Sequence, residues 1–266
     1  MKFTIKLCLC CAALFSVCGC AAKEPAPLHT PTWDITAHTT AVSTTTITTQ
    51  SAQATTIRAA RKVAIDAGHQ ARGNNELEPV GPGATESKAK VSSGTQGVST
   101  GVPEYRLTLD VSKKLRDILL SRGYEVFMIR ESHDMNISNR ERAQLADQAG
   151  ADILVRVHAN GSENPEDNGL MMVAPTPNSP FVPQLYRSSR RLADDILAEM
   201  LKITGARDKG VWETDTMSGI NWSSIPVVLV EMGYMSNPAE DERMQQAAYQ
   251  EKLAEGMANG IDRFFE

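Results

Sequence analysis

Three runs of this chain, VAIDA at 63–67, ILVRV at 153–157 and VVLV at 227–230, are apolar almost without a break. A strand with one wet face alternates apolar and polar residues, so unbroken runs suit strands buried on both faces, as in parallel sheets covered by helices. Between these runs the apolar spacing changes to that of helices. Leu107, Val111, Leu115, Ile118 and Leu119 form one stripe, Leu185, Leu192, Ile196 and Met200 a second, and Leu253, Met257, Ile261 and Phe264 a third. Strands alternating with helices predict a single α/β domain whose mainly parallel, twisted sheet carries helices on both faces.

Punctuation along the chain refines this. Glu104 opens a helix that Gly123 ends, and Ser138 with Glu141 three residues on is a capping box opening a helix to about residue 149. A long helix over 183–203 stops at Gly205, and the tail from Pro238 is helical. Further strands are expected over 124–129, 169–174 and 210–213. Residues 70–103 are rich in Gly and Ser without a usable period and read as a long loop, a feature that compact domains usually keep for function.

The first residues describe a different object. Lys2 and Lys6 precede an apolar run over 7–17 that is too short to span a bilayer and has the form of an export signal. It closes on Val17-Cys18-Gly19-Cys20, which resembles a bacterial lipobox, with Cys18 departing from the usual small or polar second position. That places a signal peptide at 1–19 and lipid attachment at Cys20. Residues 20–57, dominated by Thr, Ala and Pro, are expected to be a disordered tether in which His29 and His38 are solvated. The folded domain is expected at 58–266.

All five cysteines lie within the first twenty residues, so the domain has no thiol, and any metal in it must be held by His, Asp or Glu. Removing Lys2 and Lys6 with the signal takes the net charge from −5 to −7. An acidic domain poor in aromatics argues against nucleic acid as a partner and against a polybasic membrane surface, leaving the lipid as the anchor.

In an open α/β sheet, ligands gather at the carboxyl ends of the strands. His69 stands after the first apolar run, His158 after the second and Glu231 after the third, while Glu104 stands at the mouth of a helix. Two imidazoles and a carboxylate with a position left for water form a catalytic zinc set, and a further carboxylate supplies proton transfer. Each residue alone has an ordinary explanation, as a hydrogen-bonding strand-end histidine or a carboxylate favoured at a helix N-terminus. Glu231 is the hardest to explain so, because a carboxylate directly after an apolar strand must be paired or used.

The stretches VAIDAGH, PEYRLTLDVSKKLRDILLSRGYEVFMIRE, RERAQLADQAGADILVRVHANG and IPVVLVEMGYMSNPAEDERM together resemble the zinc-dependent N-acetylmuramoyl-L-alanine amidases of bacterial cell walls, in the family's order and over essentially the whole domain. The resemblance implies a mostly parallel sheet of about six strands. It further implies one zinc ion held by His69, Glu104 and His158, with Glu231 as the catalytic base, and peptidoglycan as substrate. Gln70 stands where the family often has glycine, and Arg156 where it often has serine. Alternation puts Arg156 on the face of His158, where it either pairs with Asp66 or reads a substrate carboxylate.

The remaining polar residues are assigned more plainly. His133 is expected in a solvent-exposed loop, Arg140 and Arg142 in salt bridges, and Asn160 either in a turn or against substrate. Trp212 and Trp222 either line a groove or pack. The expected activity is hydrolysis of the bond between N-acetylmuramic acid and the L-alanine of the stem peptide. Its rivals are a zinc peptidase acting within that peptide and a non-catalytic wall-binding or activator domain. Cys20→Ser is expected to abolish lipidation and release the protein from membranes while leaving the domain folded. Membrane retention of the processed, unlipidated variant in a fractionation assay would reveal another anchor.

Overall fold

The computed structural model describes residues 60–266. The expected signal peptide, Cys20, the tether, His29 and His38 lie outside the described residues. The elements follow in the order β1 (Lys62–Ala67), β2 (Asn74–Pro79), β3 (Ser87–Val91), α1 (Glu104–Ser121), β4 (Glu125–Met128) and α2 (Asn139–Gln148). Then come β5 (Ile153–Asn160), β6 (Leu170–Ala174), a 3-10 turn (Pro183–Leu185) continuing into α3 (Tyr186–Thr204), β7 (Asp208–Glu213) and α4 (Ser218–Asn221). Last are β8 (Val227–Tyr234), α5 (Pro238–Met244) and α6 (Ala247–Phe265).

Six strands form one sheet in the order β4-β1-β5-β8-β6-β7, with every neighbouring pair parallel except β6 and β8. The three unbroken apolar runs are therefore adjacent central strands, buried on both faces as their composition requires. Alternate residues face opposite layers. Val63, Ile65, Val155 and Val228 pack with Leu107, Leu192 and Leu253 of α1, α3 and α6. Ala64, Leu154, Val227 and Leu229 pack with Ala146 and Ile220 of α2 and α4. Asp66, Arg156 and Glu231 share the parity of the second set, so these polar groups stand on the α2/α4 side of the sheet.

The expected signals hold where they are local. Ser138 accepts the Glu141 N–H while the Glu141 carboxylate accepts the Ser138 N–H, completing the capping box. Gly205 ends α3 in the left-handed conformation. Two expectations need correction. Within residues 70–103, β2 and β3 pair as an antiparallel hairpin with mostly exposed or half-exposed residues, so no hydrophobic period marks it. And β5 and β8 run on through His158 and Glu231, which face each other across the ladder instead of following the strands.

Helix α6 lies tight against α3 through Gly256 and Gly260. A methyl group at 260 would fall 2.3 Å from the Ile196 Cα, and one at 256 would fall 2.7 Å from the Met200 Cα. Backbone cannot rotate away as a side chain can, so the helices would have to separate. Alanine is favoured over glycine within a helix by about 1 kcal/mol, whereas overpacking a core costs about 1–3 kcal/mol. The clash outweighs the gain in helix propensity, because the added methyl meets backbone. Gly260→Ala is expected to lower the thermal unfolding midpoint by several degrees, and an unchanged or raised midpoint would show that the helices yield freely.

Candidate metal centre and active site

Strands β1, β5 and β8 lie side by side and parallel, so their carboxyl ends meet on one edge of the sheet. Beyond β1 the chain turns at Gly68 and enters His69, the only described non-glycine residue with positive φ, at 60°. Such a conformation persists only where the surroundings fix it. Two buried guanidiniums do so. Arg142 donates to the carbonyls of Ala67 at 3.0 Å and His69 at 2.8 Å. Arg130 donates to the carbonyls of Ala67 at 2.7 Å, Gly68 at 2.9 Å and Tyr105 at 2.7 Å, tying β1 to the first turn of α1.

Glu104, the first residue of α1, is thereby brought under the end of β1. Its Oε1 lies 3.0 Å from His69 Nε2 and 3.1 Å from His158 Nδ1, and the two nitrogens are 3.1 Å apart. Three donor atoms at the corners of a nearly equilateral triangle suit one ion. Ligands at zinc bond lengths of about 2.0–2.1 Å in a tetrahedron are separated by about 3.3–3.4 Å, a few tenths of an ångström from what is found. The outer contacts agree. His69 Nδ1 faces the Ser92 carbonyl at 3.0 Å; a carbonyl only accepts, so Nδ1 carries the proton and Nε2 presents its lone pair. The Thr95 N–H donates to Glu104 Oε2 at 2.9 Å, and the Ala159 N–H donates to Oε1 at 3.1 Å.

Protonation states fit the same picture. Burial opposes the charge of Glu104, but the close approach of the His158 and His69 rings outweighs it and holds the carboxyl well below its usual range. Burial pushes His158 down to about 4, against the hydrogen bond to Glu104, so its ring is neutral at pH 7. Glu231, opposite His158, is pushed the other way. Burial raises its pKa well above the ordinary value, Glu104 adds to this and Arg156 subtracts. Its Oε2 is buried without a hydrogen-bond partner.

Glycines supply the room. A methyl group on Gly68 would sit 2.4 Å from Cε1 of His158, and one on Gly94 would sit 2.8 Å from both the His69 ring and Glu104 Oε2. The site opens into a groove of about 720 Å³, lined by Lys88 and Val91 of the hairpin and by Met217 and Gly219 among others.

All four residues singled out in the sequence, His69, Glu104, His158 and Glu231, line this groove. The other assignments divide. Arg142 forms a fully buried ion pair with Asp66, while Arg140 stacks over the Trp222 ring at 4.3 Å instead of joining an ion pair. Trp222 donates to the Pro79 carbonyl and is a packing residue. Trp212 is 45% exposed and away from the groove. Asn160 caps its own turn, accepting the Gly161 N–H, and also lines the groove. His133 is not solvent-exposed. It is half-buried with its ring edge-on to Tyr105 at 5.2 Å, because its carbonyl is tied to the Ala71 N–H and the loop folds back. Gln70 is buried, bonded to Arg142 and the Ile137 N–H, which gives this side chain a structural use. Sequence reasoning missed Arg130, Ser92, Thr95 and Lys88; an arginine after a strand or a serine in a polar stretch carries no signal of its partner.

The family model for N-acetylmuramoyl-L-alanine amidases (Amidase_3) matches residues 63–263. The chain belongs to this family. Among relatives of the amidase domain, the N-acetylmuramoyl-L-alanine amidase LytC of Bacillus subtilis is 28% identical over 170 residues, 63% of this chain but 32% of LytC. The chain thus spans about a third of the length of that relative. The N-acetylmuramoyl-L-alanine amidase Rv3717 of Mycobacterium tuberculosis is 26% identical over 208 residues, 76% of this chain and 85% of the relative. The crystal structure of the N-acetylmuramyl-L-alanine amidase from Mycobacterium smegmatis superposes with a TM-score of 0.64 at 26% identity, covering 77% of this chain and 96% of that one. The amidase from Clostridium difficile 630 gives 0.62 at 26%, covering 77% and 97%.

The contact between Gly68 and the His158 ring yields a direct test of the centre. Gly68→Ala is expected to push the ring off its ligating position and weaken divalent-metal binding by ~10- to 100-fold, the usual effect of disturbing the groups that orient a ligand. Metal affinity measured by competition with a chelator reads this. Undiminished affinity would mean that His158 is not held by Gly68 or is not a ligand.

Proposed function

We propose that residues 58–266 form a zinc-dependent amidase domain that hydrolyses the amide between N-acetylmuramic acid and the L-alanine of the peptidoglycan stem peptide. The observation that supports it most is the convergence of His69 Nε2, Glu104 Oε1 and His158 Nδ1 within 4.8 Å of one another, with the unpaired Glu231 carboxyl across the ladder. His69, Glu104 and His158 would hold the ion. When bound, zinc supplies Lewis acidity, polarising a carbonyl and making water a nucleophile near neutral pH.

The chain's own part is positioning and proton transfer. Glu231 takes a proton from the attacking water as its oxygen adds to the scissile carbonyl carbon. It then returns a proton to the nitrogen as the carbon–nitrogen bond breaks, leaving the lactyl carboxylate and the free amine of alanine. The groove in front of these residues is lined by the hairpin, by residues 216–219 and by Asn160 and Gly161.

Two rival functions fit less well. A non-catalytic binding domain has no use for an unpaired buried carboxyl beside three converging metal ligands. A peptidase acting within the stem peptide shares the chemistry but leaves different products, since only an amidase frees intact stem peptides from glycan. The proposal extends to location. Export by the signal at 1–19, lipidation at Cys20 and a tether over 20–57 would hold the domain at a membrane facing the cell wall; the sequence is what supports this.

Glu231→Gln separates proton transfer from metal binding, because the amide keeps the shape and loses the basicity. Zinc content is expected to stay near normal while stem-peptide release falls ~100- to 10,000-fold. Zinc content, and the masses of products from digested peptidoglycan, are measured on the same preparation. Loss of zinc would make Glu231 a ligand, near-normal turnover would make another group the base, and internal peptide cleavage by the unmutated protein would favour the peptidase.

A further inference from the structure

Three guanidiniums, Arg130, Arg142 and Arg156, are buried near the end of β1, and of these only Arg156 lines the groove. Its Nε donates to Asp66 Oδ2 at 2.9 Å and its Nη2 donates to Asn139 Oδ1 at 2.8 Å. Its Nη1 has no hydrogen-bond partner among the described residues and is not sealed from the groove. Gly219 makes the space for it, since a methyl group there would fall 1.9 Å from Nη1.

Asp66 does not use the whole of this arginine. Asp66 is already neutralised by Arg142, whose Nη1 lies 2.6 Å from Oδ1 in a pair with no exposure on either side. Arg156 adds a second positive charge to the same carboxylate, and among the described residues Asp66 is its only ion-pair partner. The Glu231 carboxyl feels this charge, since Arg156 opposes the rise of its pKa, but no hydrogen bond joins it to Nη1 among the described residues. Lys88, on the hairpin wall of the same groove, is a second cation whose Nζ donates only to the Thr216 carbonyl, at 2.9 Å. The groove thus carries two cations, Arg156 and Lys88, beside the carboxyls of Glu104 and Glu231.

Position narrows what that charge can meet. Arg156 lies on the face of His158, two residues back along β5, opposite Leu229 as His158 is opposite Glu231. Two strand residues correspond to about 6.5–7 Å. In a muramoyl peptide the sugar side is uncharged and the carboxylates belong to the peptide. The first residue's carboxyl is used in the next peptide bond, so the nearest free carboxylate such a peptide can offer is the α-carboxyl of a second residue that is acidic and linked through its side chain, about 7 Å along an extended chain.

We infer that Arg156 is a specificity residue whose free Nη1 binds a carboxylate on the second residue of the stem peptide, orienting the peptide side of the substrate against the ligand triangle. This rests on the amidase function proposed above. A charge-assisted hydrogen bond in a partly buried groove supports a ~10- to 100-fold preference for the acid over its amide.

The test uses the zinc-loaded protein and two synthetic muramoyl peptides. They differ only at the second residue, a glutamate linked through its side-chain carboxyl, whose α-carboxyl is either free or a carboxamide. The unmutated protein is expected to favour the acid in kcat/KM by that factor, mainly through KM. In Arg156→Gln the ratio is expected to fall toward one, and Arg156→Lys to retain part of it, with zinc content and thermal midpoint followed alongside. Equal use of both substrates by the unmutated protein overturns the inference even if no variant folds. So does an undiminished preference in a folded Arg156→Gln. Cleavage of neither substrate overturns the amidase assignment first, and the inference with it.

Discussion

The whole site hangs on the grip that Arg130 and Arg142 take on the carbonyls of Ala67, Gly68 and His69. A strand that simply ended would leave those acceptors to water and His69 free to relax from its left-handed conformation. Instead two guanidiniums, 1% and 0% exposed, fix three successive peptide planes. Arg130 also reaches the Tyr105 carbonyl and the Thr108 hydroxyl, so the same side chain that holds the turn into His69 seats the helix that carries Glu104. Burial pushes Arg130 down to about 10, which still leaves it fully charged at pH 7. Geometry at the triangle of His69, Glu104 and His158 is thus inherited from a buried cationic frame behind it.

The groove in front is built on the opposite principle. Its walls are held by main-chain acceptors and long side chains. Lys88 crosses to the Thr216 carbonyl, Asn221 donates to the Val80 carbonyl, and Trp222 donates to the Pro79 carbonyl. These bonds join the β2/β3 hairpin to the α4 segment, two pieces far apart in sequence and belonging to different sheets or layers. A rigid floor beneath a wall of a separate small sheet lets one chemistry sit below a surface shaped for a particular substrate.

How much of this could be read from the sequence follows from how local each cause is. The central strands are legible because burial on both faces demands unbroken apolar runs, and α2 because its capping box is written in four residues. His69, Glu104, His158 and Glu231 are brought to notice as a set by the apolar runs that lead into three of them and by the helix that Glu104 opens, together with the family resemblance, although β5 and β8 continue past His158 and Glu231. The hairpin is not, since its strands are stabilised by pairing and by contacts to α4 and show little apolar alternation. His133 is misplaced by sequence reasoning because a backbone bond to Ala71 and the face of Tyr105, not its neighbours in sequence, decide its burial. Arg156 is ambiguous between two roles in the sequence, and the structure gives it both the contact with Asp66 and a place on the groove.

The triangle of His69, Glu104 and His158 also has a topological meaning. His69 and His158 are 89 residues apart and Glu104 and His158 are 54 apart, yet all three donors touch. With every cysteine confined to the first twenty residues, the domain has no disulfide to close its loops. An ion seated at the triangle would be its one cross-link, joining a strand end, a helix start and the central strand into two closed rings. Loop closure of that size restricts the unfolded chain, and binding confined to the folded form adds stability in proportion to the logarithm of metal concentration. Metal supply would then set how long the folded domain persists as well as how fast it works.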